Sequence, residues 1–108
     1  MNKVYLQIWE ESERGWGVRP DGCSIHLTLS NRNEYVSEIY GGRRLGNVPD
    51  EYERVVGNPL SVFISDEVLK ETNIKGYLRL MEHEFRNLIS MEEIVYPKNN
   101  SLHVETNR

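Results

Sequence analysis

Apolar and polar residues alternate strictly across residues 3–9, with Val4, Leu6 and Ile8 on one face and Lys3, Tyr5, Gln7 and Trp9 on the other, a period of two that predicts a strand. The charged run EESER (10–14) reads as a turn, and GWGVR (15–19) as a strand returning antiparallel to the first. Pro20-Asp21-Gly22 marks a second turn, because proline presets its own φ and glycine tolerates positive φ. A third extended segment, CSIHLTL (23–29), places Cys23, Ile25 and Leu27 on one face and Ser24, His26 and Thr28 on the other. Residues 3–28 therefore read as a meander of two hairpins.

The period changes after Ser30. Tyr35, Val36, Ile39 and Tyr40 recur at helical spacing behind Ser30 or Asn31 as a cap, and Gly41-Gly42 stop the helix. Residues 43–59 show little periodicity and read as a long loop, with one helical turn at DEYER (50–54). LSVFI (60–64) reads as a strand, and Ser65-Asp66-Glu67 opens a helix whose first-turn acids complement the positive end of its dipole. YLRL (77–80) reads as a short strand, and Met81, Phe85, Leu88 and Ile89 share one face of a last helix. The polar segment 97–108 reads as a loose tail, with Leu102 and Val104 as the pair that could add an edge strand.

The predicted class is α+β. A small antiparallel sheet, made of the N-terminal meander and one or two later strands, carries two or three helices packed on one face, in a single domain over 1–96. The other face, bearing Tyr5, Gln7 and Trp9, is then open, which would suit a homodimer or a ligand platform.

Composition narrows the function classes. At 108 residues, 38% hydrophobic and 28% charged, the chain matches an ordinary soluble domain. No apolar run approaches the roughly 20 residues of a membrane-spanning helix, and the N-terminus lacks the features of a secretory signal, which places the protein in a cytoplasm with no membrane partner. One cysteine, Cys23, excludes an intramolecular disulfide and reads as a small core residue. The net charge of −4 argues against broad nucleic-acid binding, which needs clustered Lys and Arg. Alanine is absent, which argues against a helical bundle.

The candidate chemistry is sparse. His26-Leu27-Thr28 puts an imidazole and a hydroxyl on one side of a strand and resembles half of the motif pair of the two-histidine phosphoesterases. The second half departs from that pattern, because His103-Val104-Glu105 has Glu where Thr or Ser belongs. Cys23 and His26, three apart on a strand, point to opposite faces and cannot share a metal, so no metal or cofactor is expected. GGRRLGN (41–47) lacks the Lys-Ser/Thr of a nucleotide-hydrolysing loop but suits anion recognition through Arg43 and Arg44; its alternative reading is a helix C-terminus followed by compensating cations. The glutamate pairs Glu82/Glu84 and Glu92/Glu93 splay around helices and read as solvated surface.

The resulting expectation is a small non-enzymatic binding protein of bacterial or phage accessory type. Its ligand would be a small phosphorylated molecule such as a nucleotide, held by Trp16, Arg19, His26, Arg43, Arg44, Tyr52 and Arg54, with the arginines forming bidentate bonds and the aromatic rings a planar surface. The alternatives are a protein interaction module or enzyme inhibitor and, third, a phosphoesterase-like enzyme using His26.

Overall fold

Eight elements follow one another in the computed structural model, which describes residues 1–13, 17–41 and 52–98. They are β1 (Asn2–Glu13), β2 (Gly17–His26), α1 (Leu29–Gly41), β3 (Tyr52–Ile64), α2 (Asp66–Lys75), β4 (Tyr77–Leu80), α3 (Glu82–Ser90) and β5 (Ile94–Val95). The strands form one antiparallel sheet in the order β4-β2-β1-β3-β5. The protein is thus a small α+β domain, and among the described residues no helix is long and apolar enough to cross a membrane.

The alternation over residues 3–9 builds the main core. Val4 and Leu6 join Cys23, Ile25, Val62, Ile64 and Leu80 on one sheet face, against Val68 of α2 and Phe85 of α3. Cys23 is fully buried there, and burial pushes its thiol pKa up, as for a small apolar residue without a base. Helix α2 starts where its sequence says it should: Ser65 Oγ accepts from the Val68 N–H, Asp66 and Glu67 occupy the first turn, and Gly76 at φ 84° closes the helix through its N–H to Thr72 O. Ser65→Ala is expected to lower stability by about 1 kcal/mol without changing the fold, read as a shifted urea midpoint at constant m-value.

Four local expectations change. Residues 10–13, expected in a turn, continue β1 as far as Glu13. Pro20-Asp21-Gly22 does not reverse the chain: β2 runs straight through it and pairs antiparallel with β1 from Tyr5–His26 to Glu13–Gly17. The register between β1 and β2 slips between the Ile8–Cys23 and Glu10–Pro20 pairs, so the positive φ of Gly22 (75°) serves a bulge instead of a turn. Pro20 is tolerated because β4 pairs only with Cys23–His26, leaving this part of β2 at the sheet edge.

Residues 52–59 are strand, not loop or helical turn. They pair with β1 from Ser12–Tyr52 to Ile8–Val56, and a second irregularity then shifts the register to Leu6–Leu60. Gly57 at φ 69° and Pro59 sit at that irregularity and disrupt the alternation that would have announced the strand.

The second sheet face is covered. Helix α1 lies across it, and Trp9 and Gln7, expected on an open platform, are both 0% exposed. The helix begins at Leu29, two residues earlier than a Ser30 cap predicts, with the Thr28 hydroxyl accepting from the Asn31 N–H as its cap. Two helices, α2 and α3, therefore pack on the apolar face and the third closes the other.

Candidate functional site

Cross-strand pairing decides which side chains meet beneath α1. The Gln7–Ser24, Ser24–Arg79 and His26–Tyr77 pairs place these groups on one face of β1, β2 and β4. Trp9 alternates onto the same face, and Asn31, Arg32, Tyr35 and Tyr40 approach it from α1.

A directed chain of hydrogen bonds runs through this layer. Trp9 Nε1 donates to Ser24 Oγ at 2.8 Å, the Ser24 hydroxyl reaches His26 Nε2 at 2.7 Å, and His26 Nδ1 lies 2.7 Å from Asn31 Oδ1. With Asn31 Oδ1 as acceptor, His26 carries its proton on Nδ1 and accepts at Nε2 from the serine. A serine, a histidine and an orienting amide in this order have the connectivity of a nucleophile, base and orienter. Ser24 and His26 are nevertheless 0% exposed. Tyr35 and Tyr77 pack on the imidazole at 5.3 and 6.2 Å, so no substrate carbonyl can approach. Burial also holds the His26 pKa below its usual value, against the opposing hydrogen bond to Asn31. The chain acts as a neutral tie between sheet and helix.

Beside it, Arg79 gathers three strands and α1. Its Nη1 donates to Tyr35 Oη and Glu53 Oε1, and its Nη2 to Glu53 Oε2, Asp21 Oδ2 and the Asp21 carbonyl, at 2.9–3.2 Å. The guanidinium also lies 5.0 Å from the centre of the Trp9 ring. The two carboxylates compete for the one cation. Asp21 is pushed up to about 6 by burial and then by its hydrogen bond to Glu53. For Glu53, burial acts upward but is outweighed by the hydrogen bonds from Asp21 and Arg79, which hold it below the usual carboxylate range.

Two clefts flank this cluster. One, of about 340 Å³, has the Tyr35 and Tyr77 rings, 4.6 Å apart, together with Leu78 and Arg79 in its lining, and Ile74, Lys75 and Glu71 of α2 at its side. The other, of about 530 Å³, is lined by Glu11, Arg19, Asp21, Met81, Glu82, His83 and Arg86. Asp21 thus faces one cleft and its partner Arg79 the other.

Among the described residues, Arg19, His26 and Arg54, expected in one binding site, do not converge. Arg19 lines the second cleft, with Nη2 2.8 Å from Glu11 Oε1. Arg54 lies on β3 and is ion-paired with Glu10. Since Glu11 pairs with Arg19 and Glu10 with Arg54, the two arginines occupy opposite sheet faces. His26 is enclosed beneath α1. Tyr52 opens β3 opposite Ser12, while Trp16, Arg43, Arg44 and the 103–106 half-motif lie outside the described residues.

The groups that do converge, Trp9, Asp21, Ser24, Tyr35, Lys75, Tyr77 and Arg79, carried only a faint sequence signal. Tyr77 and Arg79 alternate with Leu78 and Leu80, as Ser24 and His26 alternate with Cys23 and Ile25. That is the mark of two strands sharing a polar face. Among the described residues no three His, Cys, Asp or Glu side chains are placed to hold a metal ion. No protein-family model, no characterised protein and no solved structure matches this chain.

Proposed function

We propose that the protein is a non-enzymatic binding protein for a small anionic molecule with a planar group, such as a nucleotide, seated in the tyrosine cleft. The observation that carries this reading is the pair of tyrosine rings beside Leu78, with Lys75 and Arg79 lining the same space. Its volume of about 340 Å³ suits a small ligand. The rings and Leu78 supply planar and apolar contact, and Lys75 supplies a cation that is unpaired among the described residues. Arg79 contributes mainly field, since its terminal nitrogens are engaged by Tyr35, Glu53 and Asp21. Compared with the site expected from sequence, the ligand class is kept and the residues change.

A thermal-shift panel of nucleoside monophosphates and naphthalene-2-sulfonate at millimolar concentration tests it. A ligand at one hundred times its Kd adds about 2.7 kcal/mol to folding stability and raises the melting temperature by several degrees. Lys75→Ala should weaken binding about fivefold to tenfold. A panel that leaves the melting temperature unmoved, or a Lys75→Ala variant that binds as wild type does, would overturn the proposal.

One observation favours the alternative of a protein interaction module. Residues 17–20 of β2 extend beyond the pairing with β4, and Val18 there is 49% exposed, so this edge offers backbone groups to an added strand. Light scattering on the eluting protein, with and without a Val18→Lys substitution, would reveal self-association through that edge.

A further inference from the structure

Helix α1 has no buried residue of its own. It is held over the sheet by side-chain bonds and ring edges: Asn31 to His26 Nδ1, Arg32 to Gln7 Oε1 at 2.9 and 2.6 Å, and Tyr35 and Tyr40 against Trp9. The tie at His26 suits only a neutral imidazole. Its Nε2 takes the Ser24 hydroxyl proton, and Ser24 Oγ in turn accepts from Trp9 Nε1. A second ring proton would aim a donor at a hydroxyl that already donates, leaving one buried proton without an acceptor. Nor is the bonded acceptor a counter-charge: Asn31 Oδ1 is neutral, and the charge felt at the ring is that of the Arg32 guanidinium, another cation. Arg32 itself is bonded to the amide oxygens of Gln7 and Asn33. From β1, Tyr5 stands opposite His26; from β4, Tyr77 packs on the ring and Arg79 stands opposite Ser24; from α1, Tyr35 packs on the ring at 5.3 Å. Glu71 and Lys75 of α2 line the cleft that Tyr35 and Tyr77 share, and the Asp21 and Glu53 carboxylates are bonded to Arg79.

We propose that His26 is an acid-sensitive clasp: a proton on its imidazole unfastens α1 from the sheet, uncovers Trp9 and draws Tyr35 away from the tyrosine cleft that it lines. Burial, opposed by the hydrogen bond to Asn31 and reinforced by Arg32, holds the His26 pKa below its usual 6.5 while the helix is closed. An imidazole released to water returns to that usual value. A group whose pKa is depressed in the closed state lends it full stabilisation above about pH 6.5 and loses that contribution as the pH falls toward the depressed value. The clasp is therefore shut at neutral pH and loosens in mild acid.

Amide exchange in the full chain reads the opening without any ligand, so its outcome is separate from the binding reading of the cleft. Expressed as protection relative to the unstructured rate, residues 29–41 should lose about tenfold between about pH 7.5 and about pH 5.5. Val62 and Ile64, buried in β3, should keep theirs. His26→Asn retains an N–H for Asn31 and does not titrate, so it should abolish the pH dependence. Asn31→Asp sets a carboxylate against Nδ1, favours the imidazolium and should reduce the change to about twofold or less; it provides the test if the first variant does not fold. Unchanged α1 protection in wild type, the tenfold loss retained in whichever variant folds, or an equal loss at Val62 and Ile64 overturns the clasp.

Discussion

Trp9→Ala is expected to lose about 3–5 kcal/mol of folding stability. The indole is 0% exposed and is the largest fully buried side chain among the described residues. Its faces and edges are occupied by Tyr35 at 5.9 Å and Tyr40 at 6.4 Å, both near perpendicular, and by the Arg79 guanidinium at 5.0 Å. Alanine would remove that contact area and leave a cavity that α1 can fill only by shifting toward the sheet. It would also strip Ser24 Oγ of the donor at 2.8 Å that orients the serine toward His26. Trp9→Phe separates the two effects: it keeps much of the apolar volume, loses the N–H, and should cost about 1–2 kcal/mol. For a domain whose total stability is typically about 5–15 kcal/mol, the alanine variant would be largely destabilised and the phenylalanine variant would remain folded. Urea unfolding of the three proteins gives the comparison. A loss below about 1 kcal/mol for Trp9→Ala would mean that α1 does not seal this face.

Gly22→Ala is expected to cost about 3 kcal/mol or more, for a backbone reason. Gly22 has φ 75°, and a Cβ there would stand 1.9 Å from Leu80 O and 2.9 Å from the carbonyl carbons of Leu80 and Met81. These are main-chain atoms at the junction of β4 and α3, so relief requires moving β4 off β2. The move would also break the bond from the Gly22 N–H to Glu82 Oε1 at 2.9 Å, which ties β2 to the first turn of α3. Gly17→Ala is the matched control. Its φ is 84° but nothing lies within 4 Å of the added carbon, so only the left-handed strain of about 1 kcal/mol applies. Equal melting temperatures for the two variants would show that Gly22 is not pressed against β4. Loss of amide-exchange protection confined to residues 77–81 in Gly22→Ala would identify the strand that has been displaced.

Much of the fold was legible. Alternation at Val4, Leu6 and Ile8 identified the core face of β1, Ser65 with two following acids located α2 to the residue, and Phe85, Leu88 and Ile89 identified the packed face of α3. Each depends on a short-range rule, a period or a cap, that a few adjacent residues satisfy by themselves. The errors lay where such rules are ambiguous. Pro-Asp-Gly specifies a proline φ and a positive glycine φ, and both a turn and a bulge use that pair of angles; the partner strand decided for the bulge. Residues 52–59 carried too many charges and a glycine at the register shift to look like strand. Glu53 and Arg54 find their partners, Arg79 and Glu10, on β4 and β1.

The site was the least legible part. Arg19 and Arg54 attracted notice as cations, but cross-strand carboxylates engage them, and strand alternation sends them to opposite faces. Trp9, Ser24 and Arg79 are 15 to 70 residues apart in the chain and become one cluster only through pairing of β1, β2 and β4.

What the sequence determined by itself is the α+β class, the apolar face of the sheet and the ends of α2, because periodicity and capping are properties of neighbouring residues. The fate of the polar face was decided in three dimensions. Gln7, Ser24 and His26 read as outward-facing because each must find a hydrogen-bond partner to be buried. Those partners come from elsewhere: Arg32 and Asn31 on α1, Trp9 on a neighbouring strand, and the backbone of β3 at Val56 and Gly57. Only the folded chain assembles that matching set, and with it a buried polar layer, the Arg79 cluster and the cleft beside it.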